Sequence, residues 1–311
     1  MTTHILCAMR NAAPFIADCV RSVQEQTHGD WLMLLRDDAS TDDSIDRLQE
    51  LAARDPRIRL VERSTAAIGA AAGYHSLLQQ VPDGTDVACI DADDTWLPDH
   101  LAQSLAALGA AQGPALVHGD LEVVDAQLRP LRPSFWSAQR IIPEPTTVRR
   151  IAVDNVVTGS TIAMNGALAR IIRTHAATGA VFQDSWFALA AAAAGTIIAR
   201  RETTVRYRQH GANTVGTQAR PRLSAATALP LAAKALTNRE KFRRDLARTA
   251  AQAGTFAQAY AELLAPEDRA FLERYAALPQ RPWPARALGV LTMRAYPGRS
   301  LLSALGEALR C

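Results

Sequence analysis

The chain has 311 residues, 48% apolar and 21% charged, with a formal net charge of +3, and so belongs with ordinary globular proteins, long enough for one large α/β domain with an added region or for two small domains. No run of about 18 apolar residues occurs and the N-terminus enters a strand pattern without a basic stretch or cleavage site, so a spanning helix is not expected and the expected location is cytoplasmic. Cys7, Cys19, Cys89 and Cys311 are scattered without metal-ligand spacing, three of them in apolar surroundings where they read as reduced buried thiols, and no stacking-aromatic or helix-turn-helix signature points to nucleic acid.

Residues 4–9 form a short apolar run of strand character. Asn11 and Pro14 follow, and Phe15, Ile16, Cys19, Val20 and Val23 recur at helical spacing, with Pro14 suited to a first turn. A second strand-length run, 31–35, ends in Arg36-Asp37-Asp38-Ala39-Ser40-Thr41-Asp42-Asp43. Ser40 and Asp43 have capping spacing, and Ile45, Leu48, Leu51 and Ala52 carry the next helix. The pattern predicts a third strand over 58–61, a helix over 69–80, a fourth strand over 86–90 running into Asp91-Ala92-Asp93-Asp94, a helix from Pro98 to 108, and a fifth strand over 115–118. After prolines at 130, 133, 143 and 145 it gives a strand over 156–164, a helix over 167–176, and an Ala-rich helix opened by Gln183-Asp184 and ended by Gly195. Short strands over 196–200 and 205–209 lead into His210-Gly211-Ala212-Asn213. Beyond 218 only helix signals remain, over 223–236 (broken at Pro230), 239–264 and 266–277.

Strands alternating with helices imply a largely parallel sheet covered on both faces, with ligands beyond the carboxyl ends of the strands. Both acidic clusters fall there. Asp91, Asp93 and Asp94 suit a hard cation, Mg²⁺ or Mn²⁺, bound to substrate phosphates, with Asp91 and Asp93 expected on one side of an extended segment; turns and helix caps use aspartate in the same way. Asp37 and Asp38 can accept from a pyrimidine N–H or a ribose hydroxyl, or stand in solvent beside a helix capped by Ser40 or Asp42.

The strand with Asn11, the helix end Ser22-Val23-Gln24-Glu25-Gln26-Thr27 and the Asp37–Asp42 segment resemble family-2 glycosyltransferases of GT-A fold. Asp91-Ala-Asp93-Asp94-Thr95-Trp96-Leu97-Pro98, Gln183-Asp184-Ser185-Trp186 and the segment Tyr207-Arg208-Gln209-His210-Gly211-Ala212-Asn213 extend that resemblance over residues 3–217, and the ending is similar to bacterial rhamnosyltransferase-type members. The resemblance implies donor contacts from Asn11, Asp37, Asp38, Gly69 and Asp91, a metal on Asp93, Asp94 and His210, and Asp184 as the base that deprotonates the acceptor hydroxyl in an inverting transfer. It departs at Ala67-Ile68-Gly69-Ala70-Ala71-Ala72-Gly73-Tyr74, where a polar donor contact is missing and backbone N–H groups at the helix start substitute. The processive signature QxxRW is absent, so a single sugar is expected to be added, with L-rhamnose from a dTDP donor, or a UDP-sugar, as the leading donors.

The expected organisation is a nucleotide-sugar half over 1–110, an acceptor half over 111–217 and a helical C-terminal region over 218–311. Residues 1–110 hold 17 acidic and 8 basic side chains, a net of −9, which leaves +12 for the remainder. Arg281, Arg286, Arg294, Arg299 and Arg310 stand among Trp283, Leu288, Tyr296 and Leu301, so the tail is expected to pack on the catalytic domain or on a second subunit, or to touch an anionic inner leaflet where a lipid-linked glycan acceptor is presented. Two other readings compete with transfer. A sugar-1-phosphate nucleotidyltransferase would need a glycine-rich loop followed by Arg and Lys where Met9-Arg10-Asn11-Ala12-Ala13-Pro14 stands. A non-catalytic nucleotide-sugar or glycan-binding protein would have no need to keep Asp38, Asp91, Asp93, Asp94, Asp184 and His210 together.

Overall fold

The computed structural model describes residues 2–175, 179–211, 239–293, 307–308 and 310. Alternation along the first strands sets the layers. In β1 (Thr3–Met9) Ile5, Cys7 and Met9 point to one face and Leu6 to the other; Met33 and Leu35 against Leu34 repeat this in β2 (Trp31–Asp38). Helices α1 (Ile16–Gln24), α2 (Ser44–Arg54) and α4 (His100–Gly109) cover the first face through Ile16, Cys19, Val20, Val23, Ile45, Leu48, Leu101 and Leu108. Helices α3 (Ala70–Gln79), α6 (Val148–Val153), α7 (Gly166–Thr174) and α8 (Gln183–Ala194) cover the second.

The main sheet has seven strands in the order β10-β6-β9-β4-β1-β2-β3, with β3 over Ile58–Ser64, β4 over Val87–Cys89, β6 over Ala115–Gly119, β9 over Ala163–Met164 and β10 over Thr196–Arg200. All its pairings are parallel except those of β9, which runs antiparallel to both β4 and β6. The expected strand over 156–164 is therefore mostly something else: residues Gly159–Thr161 form a 3₁₀ turn and only Ala163–Met164 pairs. A second sheet, in the order β5-β11-β7-β8, joins β5 (Thr95–Trp96), β7 (Glu122–Val124), β8 (Pro130–Arg132) and β11 (Val205–Arg208). Its pairing of Trp96 with Val205 brings the segment after β4 beside the last strand before His210. A short helix, α5 (Phe135–Gln139), follows β8.

Helices α9 (Arg239–Ala259), α10 (Pro266–Ala276) and α11 (Trp283–Met293) form the described part of the C-terminal region. They share a core with the sheet's second face: Trp186 of α8 meets Phe256 edge-on at 5.3 Å and Tyr260 at 5.9 Å, and Leu272 and Tyr275 belong to the same buried cluster. The helix expected over 223–236 lies outside the described residues, as do Arg294 and Arg299. Among the described residues no helix is long and apolar enough to cross a membrane.

Where α8 turns into β10, Gly195 has no room for a side chain, since a Cβ would lie 1.9 Å from the Pro114 carbonyl oxygen. Gly195→Ala should cost about 1–3 kcal/mol or more through the forced shift. Gly109→Ala, whose Cβ meets nothing within 4 Å, should leave the melting temperature unchanged or slightly higher. Thermal unfolding of the two variants beside the parent measures the difference.

Candidate functional site

The acidic residues at and just after the end of β2 spend most of their oxygens on the loops around them. Asp38 accepts the amides of Ile68 at 2.8 Å and Gly69 at 2.9 Å, so it fixes the loop that enters α3, where Gly69 adopts the positive φ of +85° that favours glycine. Asp37 accepts the Ser40 amide at 3.1 Å, and its Oδ1 is buried with no hydrogen-bond partner among the described residues. Asn11, itself at φ +50°, accepts the Thr41 amide at 2.8 Å and donates its own amide to Ser40 Oγ at 2.9 Å. Asp42 takes the Ala13 amide at 3.1 Å. The Ser-Thr-Asp stretch is thereby tied to the β1–α1 loop. Asn11, expected as a donor contact, has its side-chain oxygen engaged in that task.

Residues 91–94 form a turn, closed by the Asp94 amide on the Asp91 carbonyl at 3.1 Å, and not the extended segment expected. The turn sends its three carboxylates in different directions. Asp91 accepts the Tyr74 hydroxyl at 2.8 Å and donates its amide to Ser160 Oγ at 2.9 Å. Burial, then the charge of Asp93, raises its carboxyl to about 6. Asp93 faces His210, with Oδ2 and Nε2 2.9 Å apart and both side chains partly open to solvent. Asp94, expected as a metal ligand, has no exposure: Oδ2 accepts Ser160 Oγ at 2.5 Å and Oδ1 accepts the Arg208 amide at 2.9 Å. Burial and its acidic neighbours push its carboxyl well above the usual range. It braces the turn from inside the protein.

Arg208 is the cation of this region. Its guanidinium donates to the Asp93 carbonyl at 2.8 Å, the Ala126 carbonyl at 2.7 Å and Asp18 at 3.1 Å. It also lies 4.9 Å from the Phe15 ring, which packs at a tilt of 30° against His210 at 4.5 Å, so the imidazole is held by a ring contact as well as by Asp93.

Asp184 occupies the first turn of α8 and accepts the following Ser185 amide at 2.6 Å. Burial, with the charge of Asp91 adding to it, raises its carboxyl to about 7. Gly159 sits between the two elements: a Cβ there would lie 3.1 Å from Gln183 Oε1 and 3.5 Å from Asp91 Oδ2. The start of α8 and the end of β4 thus adjoin at Gly159, which puts Asp184 near Asp91, while Asp93, on the same turn as Asp91, pairs with His210 from the second part of the chain. Tyr74, Ser160 and Arg208 escaped the sequence reading as site residues. Tyr74 stands in the very segment noted for lacking a polar contact, and Arg208 two places before His210, whereas Ser160 carries no local signal at all. Among the described residues no three His, Cys, Asp or Glu side chains converge as a ready-made metal site; Asp93 and His210 form the pair.

The different duties of the two aspartates are separable. Asp94→Ala leaves a buried amide and a buried hydroxyl without acceptors, about 1–3 kcal/mol each, and should lower the melting temperature by several degrees. Asp93→Ala, at the open side of the turn, should melt within about two degrees of the parent. Differential scanning calorimetry distinguishes the two outcomes.

Residues 5–165 match the family model described as glycosyl transferase family 2. TuaG of Bacillus subtilis is 39% identical over 95 residues, 30% of this chain and 37% of TuaG. The Escherichia coli UDP-Glc:alpha-D-GlcNAc-diphosphoundecaprenol beta-1,3-glucosyltransferase WfgD is 27% identical over 121 residues, 39% of this chain and 46% of WfgD. The chain therefore spans less than half the length of these curated relatives. The crystal structure of Staphylococcus aureus TarS residues 1–349 in complex with UDP-GlcNAc aligns with all of this chain and 90% of that one, at a TM-score of 0.54 and 14% identity, a likeness of fold. With its parallel sheet, acidic strand ends and this match over half its length, the chain belongs to glycosyl transferase family 2 and has the GT-A fold.

Proposed function

We propose that this glycosyltransferase moves one sugar, with inversion, from a pyrimidine nucleotide diphosphate donor to a hydroxyl of a cell-surface glycan or a lipid-linked glycan. The observation that carries the reading is Asp184, a carboxylate raised to about 7 at the start of a buried helix, beside Asp91, whose turn also carries the Asp93–His210 pair. A base in that range is half ionised near neutrality and still basic enough to take a hydroxyl proton. In the step, the acceptor O–H proton passes to Asp184, the oxygen forms its bond to the anomeric carbon, and the bond to the diphosphate oxygen breaks with its electrons leaving on the phosphate.

The residues present fit a divalent cation, Mg²⁺ or Mn²⁺, held by Asp93 and His210, with Asp94 behind them fixing the turn. Two protein groups suffice for such an ion, which fills its remaining positions with phosphate oxygens and water. When bound, it would neutralise charge that grows on the leaving diphosphate. Asp37, whose Oδ1 has no hydrogen-bond partner among the described residues, and Asp38 beside it are our candidates for the nucleobase and ribose, with Asp91 for the ribose; the Gly69 amide, expected as a backbone contact, is taken by Asp38 and shapes that loop instead. UDP-sugars and dTDP-L-rhamnose are the first donors to try. The name of WfgD includes both a UDP-sugar and a diphosphoundecaprenol-linked acceptor, which supports a lipid-linked substrate here.

The same reading puts the enzyme at the inner leaflet through its C-terminal region, where Trp283 is 46% and Leu288 61% exposed near Arg281 and Arg286. Arginines near such a surface contribute roughly 1 kcal/mol each. Binding to anionic vesicles should weaken with salt and with removal of residues 281–311. Indifference to salt and lipid charge, with a concentration-dependent dimer instead, would favour packing between subunits.

The base assignment has a pH signature. Asp184 must be ionised to act, so kcat/KM should rise with pH through about 7 and Asp184→Asn should lose transfer while retaining nucleotide affinity. Stability runs the other way. The folded carboxyl holds its proton more tightly than the unfolded one, whose pKa is about 3.9, so its contribution is complete below that value and is lost as pH rises through about 7. Asp184→Asn should accordingly melt above the parent at pH 8. A variant that keeps full transfer at every pH would end the assignment.

A further inference from the structure

Helix α9 presents one stripe, Arg248, Gln252 and Thr255 at i, i+4 and i+7, to the segment that leads into α8. The Arg248 guanidinium lies 4.8 Å from the Phe182 ring. Thr255 fills the space beside Gly179, where a Cβ would meet its Oγ1 at 2.8 Å and where φ is +88°. Between them, Gln252 is 2% exposed and makes three hydrogen bonds: Oε1 accepts the amides of Val181 at 2.7 Å and Phe182 at 2.9 Å, and Nε2 donates to Ser185 Oγ at 3.0 Å.

Helix α8 has need of this outside support. Phe182 stands at its N-cap and offers no side-chain acceptor, and the Ser185 amide is taken by Asp184 itself. The amides of Val181 and Phe182 sit at a partly buried turn, and they obtain their acceptor from a helix about 70 residues later in the chain (|i−j| of 71 and 70). A residue present only to fill space would serve as well as leucine, and a glutamine in the core is unfavourable unless its bonds are used. All three bonds of Gln252 end on residues 181, 182 and 185, which bracket Asp184.

We propose that Gln252 is a positioning residue for Asp184: it fixes the first turn of α8, and with it the place of the base carboxylate, from the C-terminal helical region. The proposal rests on the reading of Asp184 as the base. The C-terminal region then takes part in catalysis through α9, in addition to whatever surface it offers elsewhere. A displacement of about 1 Å at a reacting group costs on the order of 10²-fold in rate, so a change too small to unfold the helix is enough to be read.

The test compares Gln252→Leu, Gln252→Glu and Asp184→Asn in the full chain. Deuterium exchange of the amides at 181–185 is followed together with Mn²⁺-dependent turnover of UDP-glucose, UDP-N-acetylglucosamine and dTDP-L-rhamnose. Gln252→Leu should raise exchange of the Val181 and Phe182 amides about tenfold or more and lower kcat on the order of 10²-fold, with donor KM within about twofold of the parent. Gln252→Glu, whose carboxylate still accepts both amides, should restore protection and most of kcat. Parental protection in Gln252→Leu overturns the proposal, whether or not a donor is turned over. So does an equal loss in Gln252→Glu, or a lowered melting temperature with kcat of the folded enzyme unchanged. Full turnover by Asp184→Asn would instead remove the base reading, and the exchange result would then still decide whether Gln252 fixes the turn.

Discussion

Asp94 places a carboxylate where water does not reach, and the rest of the cleft depends on how that carboxylate is satisfied. An ion so placed is strongly unfavourable by several kcal/mol unless its oxygens find donors. Its two donors come from distant parts of the chain, the Ser160 hydroxyl in the 3₁₀ turn and the Arg208 amide at the end of β11. Ser160 in turn accepts the Asp91 amide, and Arg208 in turn binds the Asp93 carbonyl. One buried group therefore ties the end of β4, the turn at 159–161 and the last strand of the second sheet into a single registry. With Asp94 turned inward, Asp93 is left on the open side of the turn, facing His210.

The electrostatics of the cleft follow from that crowding. Asp91, Asp93 and Asp94 lie within one turn, and Asp184 is close enough for its ionisation to be opposed by Asp91. Burial and mutual repulsion act in the same direction, raising Asp91 to about 6 and Asp184 to about 7. A diphosphate would be repelled by such a set unless a cation accompanied it, which is the physical ground for reading Asp93 and His210 as the cation's seat. The nearby guanidinium of Arg208 does not supply this charge to a ligand, because it is 2% exposed and directed at two carbonyls and Asp18. Its effect is to hold Phe15, and through Phe15 the ring of His210.

Much of the first part of the chain could be read from spacing alone. The strands at 4–9, 31–35 and 58–61 and the helices between them carry regular apolar periods, and the acidic clusters fall at strand ends where a parallel sheet collects its ligands. What escaped was set by contacts between distant residues. Strands β5, β7 and β8 are two or three residues long, too short for any period, and exist because Trp96 meets Val205 and Val123 meets Tyr207. The stretch 156–164 has the apolar content of a strand, yet Gly159 and Ser160 leave the extended conformation to meet Gln183, Asp91 and Asp94. Asp93 and Asp94 look equivalent in sequence and differ completely in exposure to the cleft. Composition cannot reveal which of two adjacent aspartates will be sealed inside.

The family match ends at residue 165, before Asp184, Arg208 and His210. The acidic strand ends and the residues Asp184, Arg208 and His210 thus come from different parts of the chain, and the second are brought to the first by packing. Helix α8 does this with very little side-chain bulk over most of its length, since Ala188, Ala190 and Ala191 are buried and let it approach the sheet closely. Small side chains give proximity but few distinct anchors. The anchors are concentrated in the first turn, where Trp186 packs on Phe256 and Tyr260 and the preceding amides reach Gln252. These anchoring contacts therefore lie next to Asp184, and they are supplied by α9, a helix from outside the family match. A side chain set on the fixed end of a helix is positioned more precisely than one carried by a loop.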